Sequence, residues 1–449
     1  MLEEEKKEEL LALLTGKKYR ELKSQLVEMN EVDIASFIEE LDSEKTVVVF
    51  RMLPKELASE VFACLEVEQQ QHIITSITDN ELRAIIDDLY VDDAVDMLEE
   101  LPATIVRRVL QNSSPDTRKL INQFLNYPEN SAGSLMTIEY VDLHDYFTVR
   151  KAMDYIRRTG IDKETVYTCY VIDDQRRLVG QVSLRKLIIA PESACIRDIM
   201  DTNIVSAATT DDQEAVADDF RRYDLTSIAV CDKEGRLVGI ITIDDIVDVI
   251  QDENTEDIKK MAAIIPSDED YMKTSVWSLV AHRLPWLMLL MISATFTSTI
   301  ITHFETLLSG AVLLTAFIPM LMDSAGNSGS QTSVTVIRNL ALGEIELRDW
   351  PHVLAKEIGV AIVSGAALAL VNFLRIIIFT STSMMIAAVV SVTLFCTVII
   401  AMIVGCLLPI GAKKLGFDPA VMASPMITTI VDACSLMIYF LIATSMLGL

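Results

Sequence analysis

The chain has 449 residues, a hydrophobic fraction of 51%, a mean hydropathy of +0.35 and a formal net charge of −27. That length excludes one compact domain, and residues 271–449 hold 8 acids and 8 bases, so the whole net charge lies in the first 270 residues. An acidic half of this size excludes nucleic acid as a partner and favours cations, while the neutral, apolar remainder excludes a wholly soluble protein.

In chain order, the opening MLEEEKKEELLALL is acidic and has no apolar core segment, so it does not read as a signal peptide. The seven cysteines are scattered, with no C-x-x-C pair, which predicts free and mostly buried thiols of a cytosolic part. Residues 1–130 read as short amphipathic helices, with apolar residues at i, i+3 and i+4 and with Pro54 and Pro102 marking helix starts. The expectation is an all-α, helical-repeat N domain without a catalytic motif.

An internal repeat follows. YVIDDQRRLVGQVSLRKLI (170–188) matches AVCDKEGRLVGIITIDDIV (229–247) at an offset of 59, pairing Val171 with Val230, Asp173 with Asp232 and Gly180 with Gly239. Each copy predicts strand, turn, strand, helix, preceded by a Met-led segment and a helix. Two such copies predict an α+β pair with packed sheets, over 131–200 and 201–250. The spacing and the D-x-x-x-R-L-V-G core resemble cystathionine-β-synthase (CBS) domains, which implies either a ligand sensor or a structural dimerisation module.

Beyond the repeat, residues 244–258 predict a helix with Asp245, Asp248, Asp252 and Glu256 on one stripe. Like charges at this spacing repel. The stripe reads either as a solvated face or as a site where a divalent cation cancels the repulsion. A connecting segment over 251–277 then leads to the membrane domain, 278–449.

Five stretches approach the roughly 20 apolar residues of a spanning helix: about 285–303, 311–337, 353–379, 384–410 and 421–446. Arg338, Arg348 and Lys356 follow the second, and Lys413 and Lys414 follow the fourth. The opposite loops are nearly free of basic residues, apart from Arg375. This bias predicts a multi-pass protein with a cytoplasmic N-terminus and an external C-terminus.

Charges inside spans are costly and mark function. Asp432 lies in the middle of the fifth stretch without a basic neighbour, in the pattern P-x-x-T-T-x-x-D formed by Pro425, Thr428, Thr429 and Asp432. Helical spacing lines these oxygens on one side, and a proline within the helix would free the carbonyl of Val421. Oxygen-only ligands suit Mg2+, which keeps most of its water. The second stretch carries Asp323, Ser324, Asn327, Ser328, Ser330 and Gln331, with Gly326 and Gly329 permitting close helix approach. It lines a pathway or packs against one, and for Asn327 and Gln331 helix–helix hydrogen bonding remains the other reading.

P-x-x-T-T-x-x-D, P-M-L-M-D-S-A-G-N-S-G-S-Q (319–331) and K-T-S-V-W-S-L-V-A-H-R-L-P-W-L (273–287) are similar to motifs of the MgtE magnesium transporter/channel family, which the chain resembles from end to end. The resemblance implies a multidomain protein with an acidic helical N domain, a tandem CBS pair, a connecting plug helix and five membrane helices. It implies a homodimer in the plasma (inner) membrane, embedded in lipid, with one pore in which Asp432 of each subunit holds hydrated Mg2+. It implies pore-lining roles for Asn327, Gln331, Pro425, Thr428 and Thr429. By position it also implies regulatory Mg2+ ligands at Glu60, Asp92, Asp96, Asp212, Glu214, Asp224, Asp245, Asp248, Glu253, Glu256 and Asp257, and ATP as a ligand of the CBS pair. Shared carboxylates give weak sites, suited to roughly 10⁻⁴–10⁻³ M if calcium sites of similar weakness are a guide, and several of them biasing one two-state element give a steep switch.

Three other readings use the same residues. A proton- or sodium-coupled carrier would employ Asp432 as its titrating group, although no broken-helix repeat is evident. A CBS-regulated membrane enzyme lacks H-E-x-x-H, G-x-S-x-G and a Cys–His pairing in its spans, and His282, His303 and His352 sit at span ends. The last is a Mg2+ sensor that does not transport.

Overall fold

The computed structural model describes residues 4–267, 271–272, 274–304, 312–380, 382–422 and 424–447. Lys273 and most of the loop HFETLLSG lie outside the described residues. Two compact units divide at Ile250/Gln251.

The first unit opens with short helices from Glu4–Thr15 to Pro115–Phe124. Their starts follow capping chemistry: Asn30, Asp42 and Ser114 accept from backbone amides of the first turn, and Thr78 with Glu81 forms a capping box. Pro54 and Pro102 immediately precede Lys55–Ala63 and Ala103–Asn112. The apolar faces meet in a core that includes Leu22, Ile34, Phe37, Val61, Phe62, Ile73, Leu82 and Val95.

The repeat then builds two three-stranded sheets, β1 (Asp142–His144), β2 (Thr168–Ile172) and β3 (Leu178–Ser183), and β4 (Ser206–Ala208), β5 (Ser227–Cys231) and β6 (Leu237–Thr242). Each has a parallel outer pair and an antiparallel hairpin. Even the irregularities repeat. Val171 pairs with Gly180 and Val230 with Gly239, and the register shifts immediately after Val171 and after Val230.

The two copies also exchange their lead-in segments. A Cβ at Gly239 would strike Met136 and the carbonyl of Thr137, while a Cβ at Gly180 would strike Met200 and the carbonyl of Asp201. Bridges pair Thr137 with Ile240 and Gln181 with Asp201. The Met-led segment before each copy thus seals the sheet of the other, and a linear cut at residue 200 runs through shared structure.

The connecting helix differs from the 251–277 expected. It spans Ile243–Met261, starting where Thr242 Oγ1 donates to Asp245 Oδ2 at 2.8 Å. It stops where Ala263 turns left-handed (φ 55°) and Ile264 N donates back to Lys259 O at 2.9 Å, a Schellman-type end reinforced by the nearby Pro266.

The second unit contains Val276–His303, Ile318–Ala341, Trp350–Phe379, Met384–Lys414 and Ser424–Leu447. Among the described residues, four stretches, Val276–His303, Leu347–Phe379, Met384–Lys414 and Pro419–Leu447, are long and apolar enough to cross a membrane. Ile318–Ala341 has the length, but its polar residues keep it out of that group. The five expected spans therefore become four by composition, plus one polar helix. All seven cysteines are free, but only Cys169 and Cys406 are buried, against the expectation of mostly buried thiols.

Candidate functional site

Three groups of carboxylates and one intramembrane stripe are the candidate sites, two groups in the first unit and the rest in the second. In the first unit, the helix Val91–Glu100 carries Asp92, Asp93 and Asp96, and Asp245 approaches from the first turn of the connecting helix. Asp92 is only 8% exposed. Glu139 and Glu164 join from the first CBS copy, tied by a backbone bond from Glu164 N to Glu139 O at 2.8 Å.

Burial, followed by carboxylate neighbours, raises the pKa of every member of this group that shifts. Asp93 is pushed up to about 6 by desolvation, Asp245 and Asp244. Asp96 rises to about 7 by desolvation, Glu99 and Asp245, and Glu164 to about 7 by desolvation, Asp244 and Asp245. Asp92 is held well above the carboxylate range by burial and by Asp93 and Asp245. Asp245 is also raised, by burial against the opposing Thr242 hydrogen bond. Glu60 is exposed on its helix, and with Glu31, Asp93 and Glu39 it surrounds Cys64, whose thiol is pushed up mainly by burial.

The second group lies on the helix Gln213–Tyr223. Asp212 caps its start, accepting from Glu214 N at 3.0 Å, and Asp224 ends it in the left-handed region at φ 51°. Eleven residues separate these caps, which stand roughly 18 Å apart along the axis. Within one chain Asp212 and Asp224 are not brought together.

The third group is in the second unit. Lys260 Nζ sits 2.7 Å from Glu256 Oε1 and 2.8 Å from Asp418 Oδ2. The same Asp418 pushes Asp257 up, after burial and against Lys260. Glu253 lies one turn earlier on the same helix and adds to this repulsion, and Arg338 Nη1 donates to Asn254 Oδ1 at 3.1 Å. Asp248, on the first-unit part of the connecting helix, is exposed. Sequence reasoning did not single out Asp93, Glu139, Glu164 or Asp418. Adjacency to Asp92 pointed to Asp93, whereas the other three lie outside helical periodicity. Among the described residues, no three acidic, imidazole or thiol groups converge tightly enough to hold a bare metal ion.

Inside the membrane segment, Pro425 differs from the expectation. The helix begins at Ser424, so Pro425 occupies its first turn, where a missing N–H costs nothing, and Val421 belongs to a separate 3-10 turn. The consequence falls on Pro425's own carbonyl: the hydroxyls of Thr428 and Thr429 both donate to it, each at 3.0 Å. With their protons committed there, the two oxygens offer lone pairs outward.

Asp432 lies one turn further along and is half-buried, and the charge that reaches it is Asp323 of the helix Ile318–Ala341. That helix packs closely. A Cβ at Gly326 would stand 3.2 Å from Thr428 Cγ2, and one at Gly329 2.9 Å from Ile427 Cγ2 and 3.1 Å from Ala401 O. Its opposite face exposes Asp323, Asn327, Gln331, Thr335 and Arg338, at steps of four, four, four and three residues. The structure thus sets Asp323 near Asp432, and an outward polar stripe continues through Asn327 and Gln331.

Comparison with known proteins identifies the parts of the chain. Residues 29–130 match the MgtE intracellular N domain, 132–193 and 196–252 match CBS domains, and 318–442 match the MgtE divalent cation transporter model. A magnesium transporter MgtE of Thermus thermophilus is 35% identical over 432 residues, covering 95% of each chain, and one of Bacillus subtilis is 32% identical, covering 97% of this chain and 96% of its own. These relatives are named as transporters, not enzymes. The crystal structure of the soluble part of a magnesium transporter overlays 56% of this chain and 98% of its own (TM-score 0.53, 30% identity). The cytosolic domain of the Mg2+ channel MgtE in complex with ATP overlays 54% of this chain and 98% of its own (TM-score 0.51, 38% identity). The chain is a multi-pass membrane protein that belongs to the MgtE family of magnesium transporters.

Proposed function

We propose that two copies of this chain form one Mg2+-selective pore in the plasma membrane, held shut when internal Mg2+ is high. The observation that carries this reading is the exposed stripe Asp323, Asn327 and Gln331, whose Asp323 is the charge that reaches Asp432, within a unit whose other long helices are apolar. Lipid is a poor neighbour for such a stripe. A second copy facing it encloses water and supplies a second Asp432. A few carboxylate, amide and hydroxyl oxygens then touch the hydration shell of the ion, binding it weakly enough for release. In this reading Ile318–Ala341 is the fifth span, the N-terminus is cytoplasmic, the C-terminus is external, and lipid covers the outer helices.

Gating follows from the acidic groups. Asp92, Asp96 and Asp245, with Glu60, hold Mg2+ where the N domain meets the start of the plug helix. Glu253, Glu256 and Asp257 hold it at the far end, and Asp212, Glu214, Asp224 and Asp248 meet ions shared with other surfaces of the dimer. The spacing of these groups suits ions that retain water. As Mg2+ falls, repulsion between uncovered carboxylates releases the plug helices. ATP is the ligand we assign to the CBS pair. An open cavity of about 790 Å3 is lined by Thr168, Gln181, Ser183, Arg185, Lys186 and Asp198 among others, and its two cations stand where the second copy has Asp244 and Asp245. The likeness to an ATP-bound relative supports the same assignment.

The decisive experiment is Asp432→Ala in a cell that lacks its own Mg2+ uptake. Uptake should fall to background, and normal uptake would sink the pore assignment. A flux that follows an imposed proton or sodium gradient at fixed Mg2+ would favour a coupled carrier instead.

A further inference from the structure

One intramembrane carboxylate has no part in the mechanism above. Glu357 lies on the helix Trp350–Phe379, and its Oε2 accepts from Thr332 Oγ1 at 3.0 Å. Thr332 is 2% exposed, on the buried back of the helix whose front carries Asn327 and Gln331. One turn before Glu357, Val353 and Leu354 pack on Val336, Leu340, Cys406 and Ile410. Glu357 therefore stands on a helix face already committed to the back of the polar helix, nine residues or about 14 Å along that helix from Asp323.

The neighbouring contacts explain why such a bond matters. Around Gly329 the helices meet backbone to backbone: a Cβ at Gly405 would run into Gly329 itself. Glycine surfaces bring helices close but lack the ridges that resist rotation about the helix axis. A directional bond to a charged acceptor supplies that resistance, and it is strong where water is scarce. Because an α-helix turns about 100° per residue, fixing Thr332 fixes its neighbour Gln331 and, one turn earlier, Asn327.

We propose that Glu357 is a positioning residue which, through Thr332, sets the rotation of the polar helix and thereby which oxygens of Asn327 and Gln331 meet the hydrated ion. This rests on the pore reading. A hydrated ion is discriminated by the dimensions of its oxygen frame, so the readout is selectivity rather than total flux.

The test uses the full-length protein in liposomes, with Mg2+ and Ca2+ fluxes measured on the same preparation. Glu357→Leu and Thr332→Val should each lower the Mg2+ to Ca2+ flux ratio by about five- to tenfold, the scale of one net hydrogen bond. Glu357→Gln and Thr332→Ser keep acceptor and donor and should stay within about twofold of the wild type. The Glu357→Leu/Thr332→Val pair should cost no more than either single change. A purely structural role would lower both fluxes together and leave the ratio unmoved, which would overturn the proposal. So would Glu357→Gln behaving like Glu357→Leu, because the charge rather than the bond would then be at work. If Glu357→Leu fails to fold, Thr332→Val against Thr332→Ser decides the question. Wild-type protein that carries no Mg2+ would instead remove the pore reading.

Discussion

Among the described residues Asp432 and Asp96 are both carboxylates without a cationic partner, and in the proposed reading they handle a divalent ion in two ways. Asp432 is one charge in a neutral membrane half, one turn from the hydroxyls of Thr428 and Thr429, and among the described residues the charge that reaches it is Asp323. Asp96 sits in a crowd, with Glu99, Asp245, Asp93 and Glu100 all pushing against it. The difference teaches what each half responds to. A sparse frame binds an ion loosely and passes it on, whereas a crowd stores repulsion that an ion relieves and so converts ion concentration into a contact between elements.

The sharpest way to break the contrast is to remove one charge from each side. Asp432→Asn should reduce Mg2+ flux by roughly 100-fold, about what an intramembrane charge is worth, with what remains still shut off by high internal Mg2+. Asp92→Asn should leave open-state flux intact, because its charge lies in the first unit. In Mg2+-free buffer it should also raise the thermal stability of the full-length protein, because a carboxyl buried among other carboxylates is replaced by a neutral amide. The Mg2+-induced rise in melting temperature should shrink in that variant. An unchanged Mg2+ response would show that Asp92 takes no part in sensing.

The crowd also predicts a pH effect. Asp93, Asp96 and Glu164 have native pKa values of about 6, 7 and 7, above an unfolded value near 4. The native state therefore binds more protons between those limits, and stability falls as pH rises from about 4 to about 7. Above about 7 these groups are ionised in both states and the curve flattens. Melting temperatures of the full chain in chelator should trace this decline, and millimolar Mg2+ should flatten it. A decline confined to pH values above 8 would implicate other groups.

How much of this was legible in the sequence depends on whether one segment or several hold the information. The repeat could be read because Val171 and Gly180, and Val230 and Gly239, occupy one register, so a single offset carries the whole sheet. The exchange of Met136 and Met200 between the copies could not, since each methionine leads into one copy but packs on the glycine of the other. Asp92 and Asp245 meet across some 150 residues, and Glu164 reaches them from a loop without periodicity. Pro425 misled because an apolar run does not show where its helix begins. Only the helix start at Ser424 turns Thr428 and Thr429 onto the proline's own carbonyl. The bond between Thr332 and Glu357 joins two unremarkable positions on separate helices, and no spacing rule connects them.

The smallest expected effect comes from the place where the contrast blurs. Around Asp418 the acidic crowd already contains a cation, because Lys260 touches both Glu256 and Asp418. The ammonium ties the end of the connecting helix to the Pro419–Met422 turn whether or not Mg2+ is present. In the gating reading this tether stands in for an ion and weakens the dependence of the closed state on Mg2+. The three side chains are about a quarter to a third exposed, so each pair is worth at most about 1 kcal/mol, or roughly fivefold in an equilibrium. Lys260→Gln should therefore raise flux at low internal Mg2+ by up to about fivefold. Block at high Mg2+ should remain complete, since the ion then covers carboxylates that the lysine has vacated. Currents recorded from the full-length channel at both extremes check this. Equal flux at low Mg2+ would mean that the end of the plug helix is held by its apolar contacts, through Met261 against Ile337 and Ala420, and that its charges act only when an ion arrives.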